Sequence, residues 1–224
     1  MTKPEYKSEN IVLLHGILRS KTDMMLLENS LTKNGYDCIN ILYPSREKKL
    51  EDIADFVDSE IKNNPLYCPQ KPLNFVTHSM GGLVTRYYIT TYKPQNLGKV
   101  VMLSPPNSGS EFADFLSENE ILSPLFKNIF GPASEQLTTD YKHIDNDITY
   151  PLGIIAGSAS INPLAPWILN GEHDGIVPVE RTKINGMSDH ITMKSTHSLM
   201  MFNPKVIEQV VYFIKNEKFN HPKD

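Results

Sequence analysis

Residues 73–91 read LNFVTHSMGGLVTRYYITT, a strand running directly into a helix. Leu73, Phe75, Val76 and Thr77 are apolar or β-branched and fit a buried strand, whereas residues 80–91 fit a largely apolar helix. Only His78 and Ser79 stand between them, so the strand must turn at once into the helix. Gly81 suits the close backbone approach that such a turn imposes. A further strand is expected at 99–103 (KVVML), which completes one strand–helix–strand crossover of the kind that builds parallel sheets.

The same alternation runs outward in both directions. Upstream, NIVLL at 10–14 reads as a buried strand, 23–34 as a helix stopped by Gly35, and DCINIL at 37–42 as a strand broken off by Pro44. Between 47 and 63, Leu50, Ile53, Ala54, Val57 and Ile61 recur at helical spacing with charges opposite, the pattern of a sheet-covering helix. Downstream, LGIIAG at 152–157 and HITMKS at 190–195 supply two more strands. Asn203 and Pro204 then open a last helix with Val206, Val210 and Phe213 on one face. The expected fold is α/β, a mostly parallel central sheet of about six strands with helices on both faces.

The 224 residues, 40% of them hydrophobic, suffice for one sizeable core. With no internal repeat or shift of composition, a single domain spanning 1–224 is expected. The segment 110–140 departs from the alternation. There Leu122, Leu125, Phe126, Ile129 and Phe130 repeat at helical spacing, with Ser123 and Pro124 as a start signal and Gly131 as a stop. It reads as a helical insertion, either capping an edge of the core or forming a lid or acyl-pocket wall.

Composition excludes several classes of partner. The net charge of −4 comes from interspersed acids and bases without a basic block, so nucleic acid is not expected to bind. The opening MTKPEYKSEN is polar and holds no apolar run suited to a signal or a membrane span, so a cytoplasmic protein without integral membrane association is expected. Cys38 and Cys68 lie outside any C-x-x-C pattern and read as ordinary thiols. His78, His143, His173, His190 and His221 form no cluster with metal-ligand spacing, and neither metal nor cofactor is expected.

The chemistry concentrates in a few places. T-H-S-M-G at 77–81, between strand and helix, resembles a nucleophile elbow, in which a tight turn lifts a serine above the carboxyl edge of the sheet at a helix N-terminus. Gly81 fills the second glycine position of G-x-S-x-G, whereas Thr77 stands where the motif has its first. Ser79 is the candidate nucleophile. A serine hydroxyl needs a histidine to take its proton and a carboxylate to orient that histidine. S-T-H-S-L at 195–199 offers His197, after the last strand and before the last helix. G-E-H-D-G at 171–175 offers Asp174, with Glu172 and Asp189 as competitors that also read as turn carboxylates. L-L-H-G-I-L-R-S at 13–20 follows the first strand and resembles an oxyanion loop, with His15 bracing the loop or meeting substrate and Arg19 and Ser20 lining the site or solvated. His78 either touches substrate beside the nucleophile or lies at the surface.

Taken together, HG at 15–16, H-S-M-G-G at 78–82, S-P-P-N-S-G-S at 104–110, D-G at 174–175 and the late His197 resemble the lipase and carboxylesterase branch of the α/β-hydrolases. The resemblance spans about residues 10–215. It implies a triad of Ser79, Asp174 and His197, oxyanion donors at Ile17 and Met80, and cofactor-free hydrolysis of a small or lipid-like carboxylic ester through an acyl-enzyme. An acyltransferase or thioesterase with the same triad, or a non-catalytic ligand-binding protein on this fold, are the alternatives. Leu125 and Phe126 of the insertion, with Met24, Met25, Leu26 and Trp167, are expected to favour an acyl chain over a charged substrate.

Overall fold

The computed structural model describes residues 8–142 and 148–222; the opening residues 1–7, His143 and the last two residues lie outside it. Six strands form one parallel sheet: β1 (Asn10–Leu14), β2 (Asp37–Ile41), β3 (Leu73–His78), β4 (Leu97–Leu103), β5 (Leu152–Gly157) and β6 (Asp189–Met193). Their spatial order is β2-β1-β3-β4-β5-β6, and every neighbouring pair runs parallel. Parallel strands need crossover connections, which explains why at least one helix separates each strand from the next in the chain.

The helices are α1 (Met25–Lys33), α2 (Leu50–Asn63), α3 (Met80–Tyr92), α4 (Glu111–Glu118), α5 (Ser123–Phe130), the short α6 (Ala165–Ile168) and α7 (Val179–Thr182), and α8 (Pro204–Asn216). Because alternate strand residues face opposite sides, the sheet supports two cores. On one side Val12, Leu14, Phe75, Val100 and Met102 meet α2 and α3 through Ile53, Val57, Leu83 and Val84. On the other, Ile11, Leu13, Val76 and Val101 meet α1 and α8 through Leu27, Leu31, Val206 and Phe213.

Most expected boundaries agree to within a few residues. The helix expected from 23 begins instead as a 3₁₀ turn at Lys21–Met24, opened by the Ser20 backbone N–H donating to Asp23 Oδ2 (2.9 Å). The insertion holds two α-helices, α4 and α5, followed by a 3₁₀ segment at Gly131–Leu137. Ser110 caps α4, its Oγ accepting from the Phe112 N–H at 3.2 Å, a cap signal that apolar periodicity alone does not register. Cys38 is buried, whereas Cys68 is only half-buried, and both are free. Among the described residues, no helix is long and apolar enough to cross a membrane, and no group of His, Cys, Asp and Glu is arranged to hold a metal ion.

Candidate active site

The centre of the site is the junction of β3 and α3. Ser79 has φ 53° and ψ −124°, a conformation rare for a residue with a side chain and costing about 1–3 kcal/mol. Strand β4 and the first turn of α3 hold it there: its N–H donates to the Leu103 carbonyl at 2.8 Å, and the Gly82 N–H donates to its carbonyl at 2.9 Å. A methyl group on Gly81 would lie 2.6 Å from the Leu14 carbonyl and 2.8 Å from that of His15. Only glycine therefore lets α3 start so close to the end of β1. Thr77 is accommodated because it is still part of β3, buried and paired in register between Leu14 and Met102.

Two loops converge on Ser79. His197 follows β6 and begins a 3₁₀ turn, His197–Phe202, ahead of α8. Its Nε2 lies 3.0 Å from Ser79 Oγ and its Nδ1 2.7 Å from Asp174 Oδ2. With the carboxylate accepting from Nδ1–H, Nε2 is left free to accept from the serine hydroxyl. Asp174 Oδ1 in turn accepts from the N–H groups of Ile176 (3.0 Å) and Val177 (2.8 Å). The His197 N–H donates to the Asp174 carbonyl at 3.0 Å, tying the two loops together. Burial alone would raise the Asp174 carboxyl, but the His197 imidazole, its hydrogen bond, the Val177 N–H and the Ser104 hydroxyl outweigh burial and hold it below the ordinary aspartate value. The Asp174 side chain is fully enclosed, with 0% exposure. Gly157 at the end of β5 makes room for it, since a methyl there would meet Asp174 Cβ at 2.7 Å.

The competing carboxylates lie elsewhere. Glu172 is exposed, and Asp189 accepts from the Phe219 N–H and contacts His221 at the opposite end of β6. The N–H groups of Ile17 and Met80, within the loop after β1 and at the start of α3, have no hydrogen-bond partner among the described residues. First-turn helical N–H groups lack an intrahelical acceptor, which leaves that of Met80 available to an anion.

Beside Ser79 opens a cavity of about 340 Å³. Its wall is mainly apolar: Ile17, Leu18, Pro106, Phe126, Phe130 and Val177 contribute, with Arg19 also on the wall. Phe126 lines it as the sequence suggests. Leu125 does not; it is 55% exposed on the outer side of α5, one helical step around from Phe126. His15 is fully buried and off the cavity wall. Its ring stacks on Tyr43 (centroids 4.2 Å apart), Tyr43 Oη donates to its carbonyl, and its Nδ1–H donates to the Gly16 carbonyl at 2.8 Å. It braces the loop, and burial lowers its basicity.

His78 is buried rather than at the surface. It lines the cavity, its ring tilts against that of His197 (4.8 Å), and its Nε2–H donates to the His197 carbonyl at 3.0 Å. Burial, with His197 and Arg19 nearby, pushes this imidazole well below the usual histidine range. Met24 is buried in the core, Met25, Leu26 and Trp167 are exposed, and none of the four reaches the cavity.

Sequence reasoning gave the loop after β4 no place in the site. Its S-P-P-N-S-G-S run carries Pro106 into the cavity wall, while Asn107 is clamped by Arg86 of α3 (to its carbonyl, 3.1 Å) and donates to the Thr182 carbonyl at 2.8 Å. The signal was present as adjacent prolines after a buried strand, but nothing in the sequence says which way that loop leans.

Comparisons with known proteins bear on the family and the fold. The family model described as "Putative serine esterase (DUF676)" matches residues 5–117, half of the chain. Triacylglycerol lipase 2 of Saccharomyces cerevisiae is 34% identical over 112 residues, 48% of this chain and 34% of that protein. A triacylglycerol lipase of Pseudarthrobacter phenanthrenivorans is 34% identical over 68 residues, 26% of this chain and 21% of that protein. The chain thus spans about a third or less of the length of these curated relatives. Among solved structures, the mature Bacillus licheniformis lipase BlEst2 superposes with a TM-score of 0.73 at 19% identity, covering 96% of this chain and 94% of that one. The Exiguobacterium antarcticum esterase EaEST gives 0.66 at 18%, covering 93% and 92%. These likenesses establish the fold. With the family match over the half that carries Ser79, this chain belongs to the "Putative serine esterase (DUF676)" family, built on the α/β-hydrolase fold.

Proposed function

We propose that this chain is a serine esterase that cleaves apolar carboxylic esters through an acyl-enzyme on Ser79. The observation that carries this reading is the unbroken hydrogen-bond chain from Asp174 through His197 to Ser79 Oγ, ending at the mouth of an apolar cavity. Ser79 Oγ attacks the ester carbonyl carbon while its proton passes to His197 Nε2. The carbonyl oxygen becomes an oxyanion held by the N–H groups of Ile17 and Met80, and Asp174 steadies the imidazolium. Collapse of the tetrahedral intermediate breaks the bond to the alcohol oxygen, which leaves with the proton from His197. Water then attacks the acyl-enzyme with His197 again as base, and the acid departs as Ser79 regains its proton.

The buried position of the Asp174–His197 pair supports this assignment, because electrostatic stabilisation is strongest where water is excluded. The reading includes one catalytic domain over the whole chain and a small-molecule ester as partner. A cytoplasmic address belongs to the same proposal, supported by two unpaired cysteines and testable by cell fractionation.

The test combines p-nitrophenyl butyrate hydrolysis with labelling by a fluorophosphonate and mass mapping of the adduct. Wild type is expected to turn over and to carry the label on Ser79, and Ser79→Ala to lose both, with activity reduced about 10⁴-fold or more. A folded Ser79→Ala variant that keeps either property overturns the assignment.

A further inference from the structure

The segment 110–140 is tied to the body of the protein at both ends of its cavity-facing surface. From the β2–α2 side, Arg46 Nε donates to the Ile129 carbonyl at 2.6 Å, and the Leu50 N–H donates to the buried Gln136 side chain at 2.7 Å. Gln136 also donates to Glu51 at 3.0 Å. Gly131 sits so close to the Arg46 carbonyl that a methyl group has no room there. From the side of the Asp174 loop, Ser110 Oγ donates to the Ile176 carbonyl at 2.5 Å and Arg181 pairs with Glu111 at 2.7 Å. Ala113, Phe126, Ala133 and Leu137 are buried in the same hydrophobic cluster as β1, β3 and β4. Swinging this segment away would therefore strip buried polar groups of their partners and open the main core, rather than lift a loosely docked flap.

That segment supplies Phe112, Ala113, Leu116, Phe126, Phe130 and Leu137 to the cavity wall. Phe126 and Phe130 pack on each other with centroids 4.7 Å apart, which stiffens that side. The volume is about 340 Å³. That lies at the small end of ligand pockets, which run from about 300 to 1,000 Å³, and suits a short or medium acyl group better than a palmitoyl one.

We propose that this cavity is a pre-formed acyl pocket bounded by a fixed wall at 110–140, and that the chain's substrates are dissolved esters of medium-chain acids, about C6 to C10. The inference rests on the serine-esterase reading above. It goes beyond that reading in naming the acyl class and in making turnover independent of a lipid–water interface. The free end of the acyl chain meets Phe126 and Phe130, whose size sets the limit on length, and the carbonyl lies at Ser79 beside the N–H groups of Ile17 and Met80.

The experiment measures kcat/KM for p-nitrophenyl esters from acetate to palmitate, and initial rate against octanoate-ester concentration through its solubility limit. The expected result is a maximum within about two carbons of C8, palmitate lower by about tenfold or more, and a rate curve that saturates without a jump where droplets form. Phe130→Ala is expected to move the maximum to longer chains and Leu116→Trp to shorter ones. The wild-type profile decides the matter even if a variant fails to fold. A maximum at the longest esters, or a sharp rise in rate at the interface, overturns the proposal while leaving the esterase reading intact. Absence of turnover at every length, with no fluorophosphonate adduct on Ser79, defeats the esterase reading and this inference with it.

Discussion

Replacing Asp174 by asparagine isolates the electrical part of its role from the structural part. The carboxylate makes two kinds of contact: Oδ1 accepts from the N–H groups of Ile176 and Val177, and Oδ2 accepts from His197 Nδ1 at 2.7 Å. Asparagine keeps the first kind, since its carbonyl oxygen can take the Oδ1 position. Its NH₂ then faces His197 Nδ1 and can only donate, so the imidazole must carry its proton on Nε2. An Nε2–H cannot accept from Ser79 Oγ, 3.0 Å away. The base is lost through the wrong tautomer, which in a worked serine-protease case lowers kcat by ~10⁴, equivalent to about 5.5 kcal/mol at ~1.36 kcal/mol per decade. Stability should move far less, because the turn keeps both backbone hydrogen bonds. Asp174→Ala removes those as well, and two hydrogen bonds to a charged group together contribute about 3–6 kcal/mol. The assay is steady-state hydrolysis of p-nitrophenyl octanoate beside thermal unfolding followed by circular dichroism. Asparagine is expected to abolish turnover with a small change in Tm, and alanine to lower both. An asparagine variant within tenfold of wild type would refute the argument and return Glu172 and Asp189 to consideration.

Other expectations follow from the same geometry. Because the folded Asp174 carboxyl lies below its ordinary value of 3.8, its contribution to stability is fully present above that pH and is lost as pH falls through the lower folded value, visible as a drop in Tm that Asp174→Asn does not show. Gly81→Ala forces a methyl group against the Leu14 and His15 carbonyls at 2.6 and 2.8 Å. The expected cost is about 1–3 kcal/mol, with Tm lower by about 2–4 °C per kcal/mol and kcat reduced, whereas unchanged kinetics would mean that the β1 end does not position the oxyanion donors. His78→Leu removes the donor to the buried His197 carbonyl and should cost about 1–3 kcal/mol. His78→Gln, which can still donate, should recover most of both kcat and Tm; equal damage from the two variants would show that ring packing, not the hydrogen bond, is what matters.

The order and class of the elements were legible in the chain, because each rests on a local cause. Periodicity of two or 3.6 residues marked the faces that must be buried, and Gly35, Pro44, Gly131 and Asn203 marked ends through their own backbone preferences. Ser79 was legible for the same reason: a strand, a two-residue gap and a helix with Gly81 in its first turn leave the chain almost no other way to run. His197 and Asp174 were legible only by chain order and motif, since nothing local makes a histidine near position 197 meet a serine 118 residues earlier. Their 2.7 and 3.0 Å contacts depend on the strand order β3-β4-β5-β6 bringing three loop ends to one edge of the sheet.

Tertiary structure alone decided the side of each helix that faces the cavity and the depth of the histidines. Phe126 and Leu125 are adjacent and equally apolar, and only the packing of α5 against the Arg46 loop turns one inward and the other to solvent. His78 and His15 read as polar residues in loops, yet both are buried, because Tyr43 stacks on one and the His197 turn closes over the other. The nature of 110–140 was equally hidden. Its apolar period is the same for a flap and for a wall, and the difference lies in partners distant in sequence: Leu50 for Gln136, Ile176 for Ser110 and Arg181 for Glu111. Local propensity specifies an element's existence and its apolar face; which distant groups satisfy its polar atoms is a property of the folded chain.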